Sequence, residues 1–103
     1  MAREIVWHAG ALGDLESIWQ HIARDSESYA SAIAARIVSA TELLLENPLI
    51  GHRLEQVLRT DVREISVYPY RVFYAVSDRS IDVLIVAHGA RDLNDGFFNR
   101  RLP

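Results

Sequence analysis

Residues 62–87 read VREISVYPYRVFYAVSDRSIDVLIVA, and this stretch decides the fold. Its first two thirds alternate apolar and polar residues with the period of two that a strand with one buried face requires. The last third is apolar on both faces, which is typical of a strand in the middle of a sheet. The predicted strands are Val62–Val67, Tyr70–Val76 and Ile81–Ala87. Short turns at Tyr68-Pro69 and at residues 77–80 join them, so the sequence predicts an antiparallel meander.

The chain before the meander predicts a strand and two helices. Arg3–His8 alternates, and from Ala11 the apolar residues recur at intervals of three and four, as in an amphipathic helix. Ser26 is a candidate N-cap for a second helix that runs to about Glu46, where Asn47-Pro48 ends it. A polar connection over Pro48–Thr60 follows. The apolar stripe of a helical hairpin must be buried against one sheet face. The prediction is one α+β domain over residues 1–103, ordered β-α-α-β-β-β.

Composition narrows the class of protein. The chain has 103 residues, half of them hydrophobic, and no cysteine, which suits one small globular core without disulfides. It has no long apolar run and no signal-peptide pattern, so we expect a cytoplasmic protein with no membrane partner. All eleven basic residues are arginines, and the net charge is −3. Eight of the arginines follow residue 47, so any function that needs positive charge belongs to the C-terminal half. The acidic balance argues against a dedicated nucleic-acid binder.

Four short runs carry a resemblance to a known family. They are ALGDLESIWQHIA at residues 11–23, NPLIG at 47–51, PYRVFY at 69–74 and VAHGARD at 86–92. In their order and spacing over residues 3–100 they look like the ParE branch of the ParE/RelE toxins of bacterial type II toxin–antitoxin systems. The resemblance implies a helical hairpin on an antiparallel sheet, the fold that the patterning predicts independently.

The family contains two activities, and the resemblance leaves both open. RelE-type members cut messenger RNA on the ribosome, which requires a base, an acid and cations for the charge that develops on phosphate. Their arginines match Arg71 and Arg91, but their tyrosine matches Phe97, and Arg63 stands where they have a pair of lysines. His88 is the candidate acid or base, because its ordinary pKa is near neutrality.

ParE-type members are similar in fold and poison DNA gyrase. We favour this interpretation because of Phe97, the absence of lysine and the negative net charge. The resemblance implies a heteromeric complex with a cognate antitoxin, a ParD-like ribbon-helix-helix protein whose C-terminal segment folds on binding. The candidate residues for contact with the target or the antitoxin are Arg71, Arg91, Phe97, Phe98, Arg100 and Arg101. A degenerate member kept as a non-toxic binding module is a third alternative.

Each candidate residue also has a structural interpretation. If Ser66 lies opposite Arg71 in the meander, Glu64 becomes its diagonal neighbour and an ion pair explains both residues. Arg91 would then fix the turn after the last strand, and His88 would be an edge residue. No histidines stand at metal-ligand spacing, so neither a metal nor a cofactor is expected. Most of the positive charge lies on the predicted strands and their ends. We therefore predict a partly concave basic patch on the sheet face opposite the helices, bearing Arg71 and framed by Arg63, His88 and Arg91.

Overall fold

The computed structural model describes residues 2–57 and 61–102. The elements in chain order are β1 Glu4–Trp7, α1 Ala9–Ala23, α2 Glu27–Glu42, a 3₁₀ turn Leu43–Leu45, β2 His52–Arg53, β3 Val62–Val67, β4 Tyr70–Val76, β5 Ser80–His88 and α3 Asp95–Arg101. The predicted α+β architecture is confirmed. Two short elements, β2 and α3, were not predicted. The last three residues of the predicted connection, 58–60, lie outside the described residues.

The helices begin and end close to the predicted positions. The side chain of Ser26 accepts a hydrogen bond from the Tyr29 N–H at 3.1 Å, so the predicted N-cap is confirmed. The α-helical part of α2 ends at Glu42, four residues before the predicted end, and the chain tightens into the 3₁₀ turn before Pro48. A tighter last turn is a common way to satisfy terminal carbonyls.

The strands form one five-stranded sheet in the order β1-β5-β4-β3-β2. The meander β3-β4-β5 is antiparallel as predicted, and Ser66 lies opposite Arg71. The N-terminal strand β1 is instead parallel to β5. A register shift in the β4–β5 pair, between Phe73 and Tyr74, leaves one extra residue on β5.

The two faces of the sheet are covered by different elements. The helical hairpin of α1 and α2 packs on one face, and its buried cluster consists of Ala11, Ile33, Ile37, Tyr70, Val72, Val83 and Val86. The C-terminal helix α3 packs on the other face, where the rings of Phe73 and Phe98 meet edge to face with centroids 5.1 Å apart. The C-terminal tail therefore docks on the sheet through α3.

In the described part of the chain, none of the helices is both long and apolar enough to cross a membrane.

Candidate functional site

Arg71 projects from β4 on the sheet face opposite the hairpin, and its charge is already compensated. Its guanidinium binds the carboxylate of Glu64 in β3 through two hydrogen bonds, from Nε to Oε2 and from Nη2 to Oε1, the second at 3.2 Å. The hydrogen bond with Glu64 raises the pKa of Arg71, and partial burial opposes it. The predicted cross-strand pair is confirmed. Arg71 is held as half of an ion pair rather than as a free cation.

His88 ends β5 and is exposed. Its Nδ1 accepts a hydrogen bond from the Ala90 N–H at 3.0 Å, and its ring lies edge-on to Tyr70 at 5.4 Å between centroids. When the ring is neutral, the proton must therefore be on Nε2. Tyr70 belongs to the hairpin side of the sheet, and burial raises its pKa. Within the described residues, Nδ1 of His88 therefore accepts a hydrogen bond, whereas Nε2 has no hydrogen-bond partner.

Arg91 lies just beyond β5. Its backbone N–H donates to the His88 carbonyl at 3.0 Å, which closes the turn. Its guanidinium carbon lies 4.7 Å from the centroid of the Phe97 ring, a cation–π distance. The arginine is exposed, so it can still turn toward a partner.

The predicted basic patch is only partly formed. A cavity of about 330 Å³ is lined by Arg71 and His88, and a second of about 420 Å³ by His88 and Arg91, so His88 lies at the border of both. Arg63 lines neither of them. It pairs with Tyr74 across β3 and β4, on the hairpin side of the sheet, and donates to the carbonyls of the loop after α2. Placing Arg63 on the face opposite the hairpin was wrong, because side chains along a strand alternate between the two faces. The same alternation puts His88, which lies opposite Tyr70, on the hairpin side, so that placement was wrong as well.

The tail residues named as contacts have unequal access to a partner. Phe97 and Phe98 are 5% and 0% exposed, so both belong to the core and cannot contact a partner while α3 is docked. Arg101 is held by an ion pair with Asp14 of α1 at 2.7 Å. Arg100 is exposed on α3. Of these four residues, Arg100 remains accessible as a contact residue.

Asp14 is a central residue that sequence reasoning missed. Its Oδ2 accepts from the Val86 N–H at 2.9 Å as well as from Arg101. Strand β1 ends opposite Val83, so β5 has no strand neighbour on that side at Val86, and the carboxylate satisfies the open N–H. One side chain thus joins α1, β5 and α3. Sequence separations of 72 and 87 residues leave no local signal for it.

A third depression lies on the outer surface of the hairpin. It measures about 590 Å³ and is lined by Leu12, Leu15, Glu16, Trp19, Gln20 and Ala34. Leu12 is 51% exposed, and the Trp19 indole is anchored by a 3.2 Å hydrogen bond to Ser31 Oγ. We refer to this surface as the hairpin groove.

No group of three or more His, Cys, Asp or Glu side chains within residues 2–57 and 61–102 is placed to hold a metal ion.

Comparison with known proteins agrees with this architecture. The sequence model described as "ParE toxin of type II toxin-antitoxin system, parDE" matches residues 5–93. Toxin RelE2 of Caulobacter vibrioides is 32% identical over 88 residues, which is 85% of this chain and 97% of that protein.

Solved structures of toxin–antitoxin systems share the fold, among them the following two. The chromosomal ParDE toxin–antitoxin system from P. aeruginosa superposes with a TM-score of 0.69 at 19% identity, covering 84% of this chain and 96% of that one. The archaeal RelE–RelB complex from Pyrococcus horikoshii OT3 has a TM-score of 0.64 at 20% identity, covering 89% of this chain and 100% of that one. Since the family model spans most of the sequence and a toxin relative matches at 32% identity, the chain belongs to the ParE toxin family of type II toxin–antitoxin systems.

Proposed function

We propose that the chain acts by binding DNA gyrase, not by cutting RNA, and that a cognate antitoxin neutralises it. The Arg71–Glu64 ion pair is the observation that carries the proposal. A cation that stabilises developing charge on a phosphate must be free to face it. Here Arg71 faces a carboxylate on its own sheet, and the position that matches the tyrosine of RelE-type toxins is the buried Phe97.

Ribosome-dependent RNA cleavage is the second candidate, and His88 is the observation in its favour. The imidazole borders two cavities, with Arg71 in one and Arg91 in the other. If a substrate phosphate displaced Glu64 from Arg71, the site would offer it one base, His88, and two cations, Arg71 and Arg91. That displacement would have to break a two-point hydrogen-bonded ion pair, which makes cleavage the less favoured activity.

Two assays on the purified chain separate the candidates. We expect inhibition of gyrase supercoiling, and no cuts in messenger RNA on translating ribosomes. Arg71→Ala and His88→Ala should each change the inhibition by less than about threefold, because neither is a transition-state group in this proposal. In a nuclease the same substitutions would lower the cleavage rate by roughly a hundred- to a thousandfold.

Arg79→Ala serves as the matched control, since Arg79 is an exposed arginine in the β4–β5 turn. Circular dichroism of each variant checks that folding is intact. RNA cleavage by the parent, abolished in folded His88→Ala, would overturn the gyrase assignment.

The hairpin groove is the binding site that we propose for the antitoxin. Its apolar lining suits the apolar face of an amphipathic helix, the form that a disordered segment takes when it folds on such a surface. The hairpin is acidic, with Glu16 at the groove rim and a net charge of −4 over residues 1–47. The partner segment should therefore carry basic residues beside its apolar stripe. The proposed partner is the ParD-like ribbon-helix-helix protein.

Leu12→Glu should weaken antitoxin binding at least about tenfold, or about 1.4 kcal/mol. The substitution places a charge in the apolar groove and adds to its acidity. Titration calorimetry with the product of the adjacent antitoxin gene measures the change. Ile50→Glu is the control, because Ile50 is a comparably exposed aliphatic residue outside the groove. Equal losses in the two variants would show that the groove is not the specific site.

A further inference from the structure

In the described part of the chain, one edge of β5 has no neighbouring strand beyond the end of β1. The Gly89 N–H donates to the Pro69 carbonyl at 2.7 Å, so the adjacent Tyr70–His88 pair is of the non-hydrogen-bonded type. The N–H and C=O of His88 therefore point away from β4, toward this open edge. Pair types alternate along an antiparallel ladder, so the N–H and C=O of Val86 point to the same edge.

Contacts within the chain satisfy two of these four groups. The Val86 N–H donates to Asp14 Oδ2 at 2.9 Å, and the His88 carbonyl accepts from the Arg91 N–H at 3.0 Å. The Val86 carbonyl and the His88 N–H have no hydrogen-bond partner among residues 2–57 and 61–102. One acceptor and one donor thus remain at the open edge, on either side of Ala87.

The remaining acceptor and donor match one residue of a parallel strand. In a parallel ladder, a residue donates its N–H to the carbonyl that precedes its neighbour and accepts with its carbonyl from the N–H that follows it. A ligand residue opposite Ala87 would therefore bond to the Val86 carbonyl and the His88 N–H together. An antiparallel residue would need both the N–H and the C=O of a single residue of β5, and at Val86 and His88 one of the two is already bonded.

The open edge has room to pair with a single residue, which favours the last residue of a chain. A ligand chain that continued along the edge would bond next to the His88 carbonyl, where the Arg91 N–H already lies. A chain that stops opposite Ala87 ends in a carboxylate. One carboxylate oxygen then accepts from the His88 N–H, and the second is left for a cation. Strand addition and capture of a C-terminal carboxylate are both recurring modes of peptide recognition.

A cavity of about 420 Å³ lies at this edge, within the size range of small-ligand pockets. Its basic groups are the Arg91 guanidinium and the imidazoles of His21 and His88, and none of them forms an ion pair within the described residues. Asp14 also lines the cavity, but its carboxylate is paired with Arg101 at 2.7 Å. The uncompensated charge at the cavity is therefore positive, which suits a carboxylate ligand.

We propose that this cavity binds the free C-terminal carboxylate of a partner polypeptide, whose last residue extends the sheet parallel to β5. The chain contains a precedent two residues earlier on the same edge, where the carboxylate of Asp14 accepts from the Val86 N–H and pairs with Arg101. At the His88 N–H the ligand supplies the carboxylate, and Arg91 supplies the cation. The cavity shares no lining residue with the hairpin groove, so the proposal is independent of antitoxin binding there.

NMR titration of the isotope-labelled full chain with acetyl-trialanine tests the proposal. We expect a saturable downfield shift of the His88 amide proton, with a dissociation constant on the order of 1 mM. The same peptide with a C-terminal amide should bind at least about tenfold more weakly, because it lacks the charge. A peptide N-methylated at its last residue cannot donate to the Val86 carbonyl and should bind roughly two- to tenfold more weakly. Equal binding of the acid and the amide, or of the peptide and acetate alone, would contradict recognition of a chain terminus.

Arg91→Gln tests the cation without changing the backbone N–H that closes the turn. The variant should bind acetyl-trialanine about tenfold more weakly, because the second carboxylate oxygen loses its charged partner. Arg79→Gln is the matched control, since Arg79 is an exposed arginine that does not line the cavity, and its binding should equal that of the parent. Unchanged binding in Arg91→Gln would be evidence against the site. A His88 amide proton that shows no saturable shift in the parent up to about 20 mM peptide would overturn the proposal.

Discussion

Phe98→Ala should lower the free energy of unfolding by about 3–5 kcal/mol. Phe98 has no exposed surface, and its ring contacts Phe73 of β4 and Phe97 of α3 at centroid separations of 5.1 and 5.4 Å. Truncation would leave a cavity between α3 and the sheet that the remaining side chains cannot fill. Urea denaturation followed by circular dichroism measures the loss. For a domain of this size it is a large part of the total stability.

Arg100→Ala is the control on the same helix. Arg100 is exposed, so its loss should change stability by no more than about 0.5 kcal/mol. A Phe98→Ala variant as stable as Arg100→Ala would mean that α3 is not docked in solution.

The expected result also bears on toxicity assays. Removal of the chain from Phe97 onward would delete part of the core, so a loss of toxicity would report unfolding rather than loss of a target contact.

Much of the fold was predictable because the strand signal is local. Strands β3 and β4 alternate along their length, and the two-residue turn at Tyr68-Pro69 fixes their register. That register placed Ser66 opposite Arg71 and so predicted the Glu64–Arg71 pair. The same register also fixes the side on which Arg63 lies. Arg63 is three positions before Ser66, so its side chain points to the sheet face opposite that of Ser66. Arg63 was wrongly assigned to the basic patch because the positive residues were grouped by sequence region without applying this alternation.

Other features leave no local signal. The short strand β2 has two residues, too few for any periodicity. The register shift in β5 is hidden because Leu84 and Ile85 are both apolar and both pack in the cluster beneath α3. In a strand that is apolar on both faces, an inserted residue does not disturb the hydrophobic pattern.

The contacts of Asp14 are the clearest case of information absent from the sequence pattern. α1 begins at Ala9 and its first turn contains no acid, so Asp14 lies beyond the reach of the helix dipole, and nothing local indicates its role. In the folded chain its side chain is 18% exposed and bridges the Val86 N–H and the Arg101 guanidinium. Val86 is itself 4% exposed, so water cannot easily replace the carboxylate. The packing of three elements creates this role.

Asp14→Ala should lower the free energy of unfolding by about 2–4 kcal/mol, because it leaves a buried N–H unsatisfied and removes the partner of a partly buried cation. Arg101→Ala removes only the ion pair, so it should cost less than Asp14→Ala. Chemical denaturation of the two single variants and the double variant gives a coupling energy, expected at about 0.5–3 kcal/mol for side chains in direct contact. Gln20→Ala, an exposed position of α1, is the control. If Asp14→Ala lowers the free energy of unfolding no more than Arg101→Ala does, the Val86 N–H does not depend on the carboxylate. The ion pair with Arg101 of α3 would then account for the whole effect of Asp14.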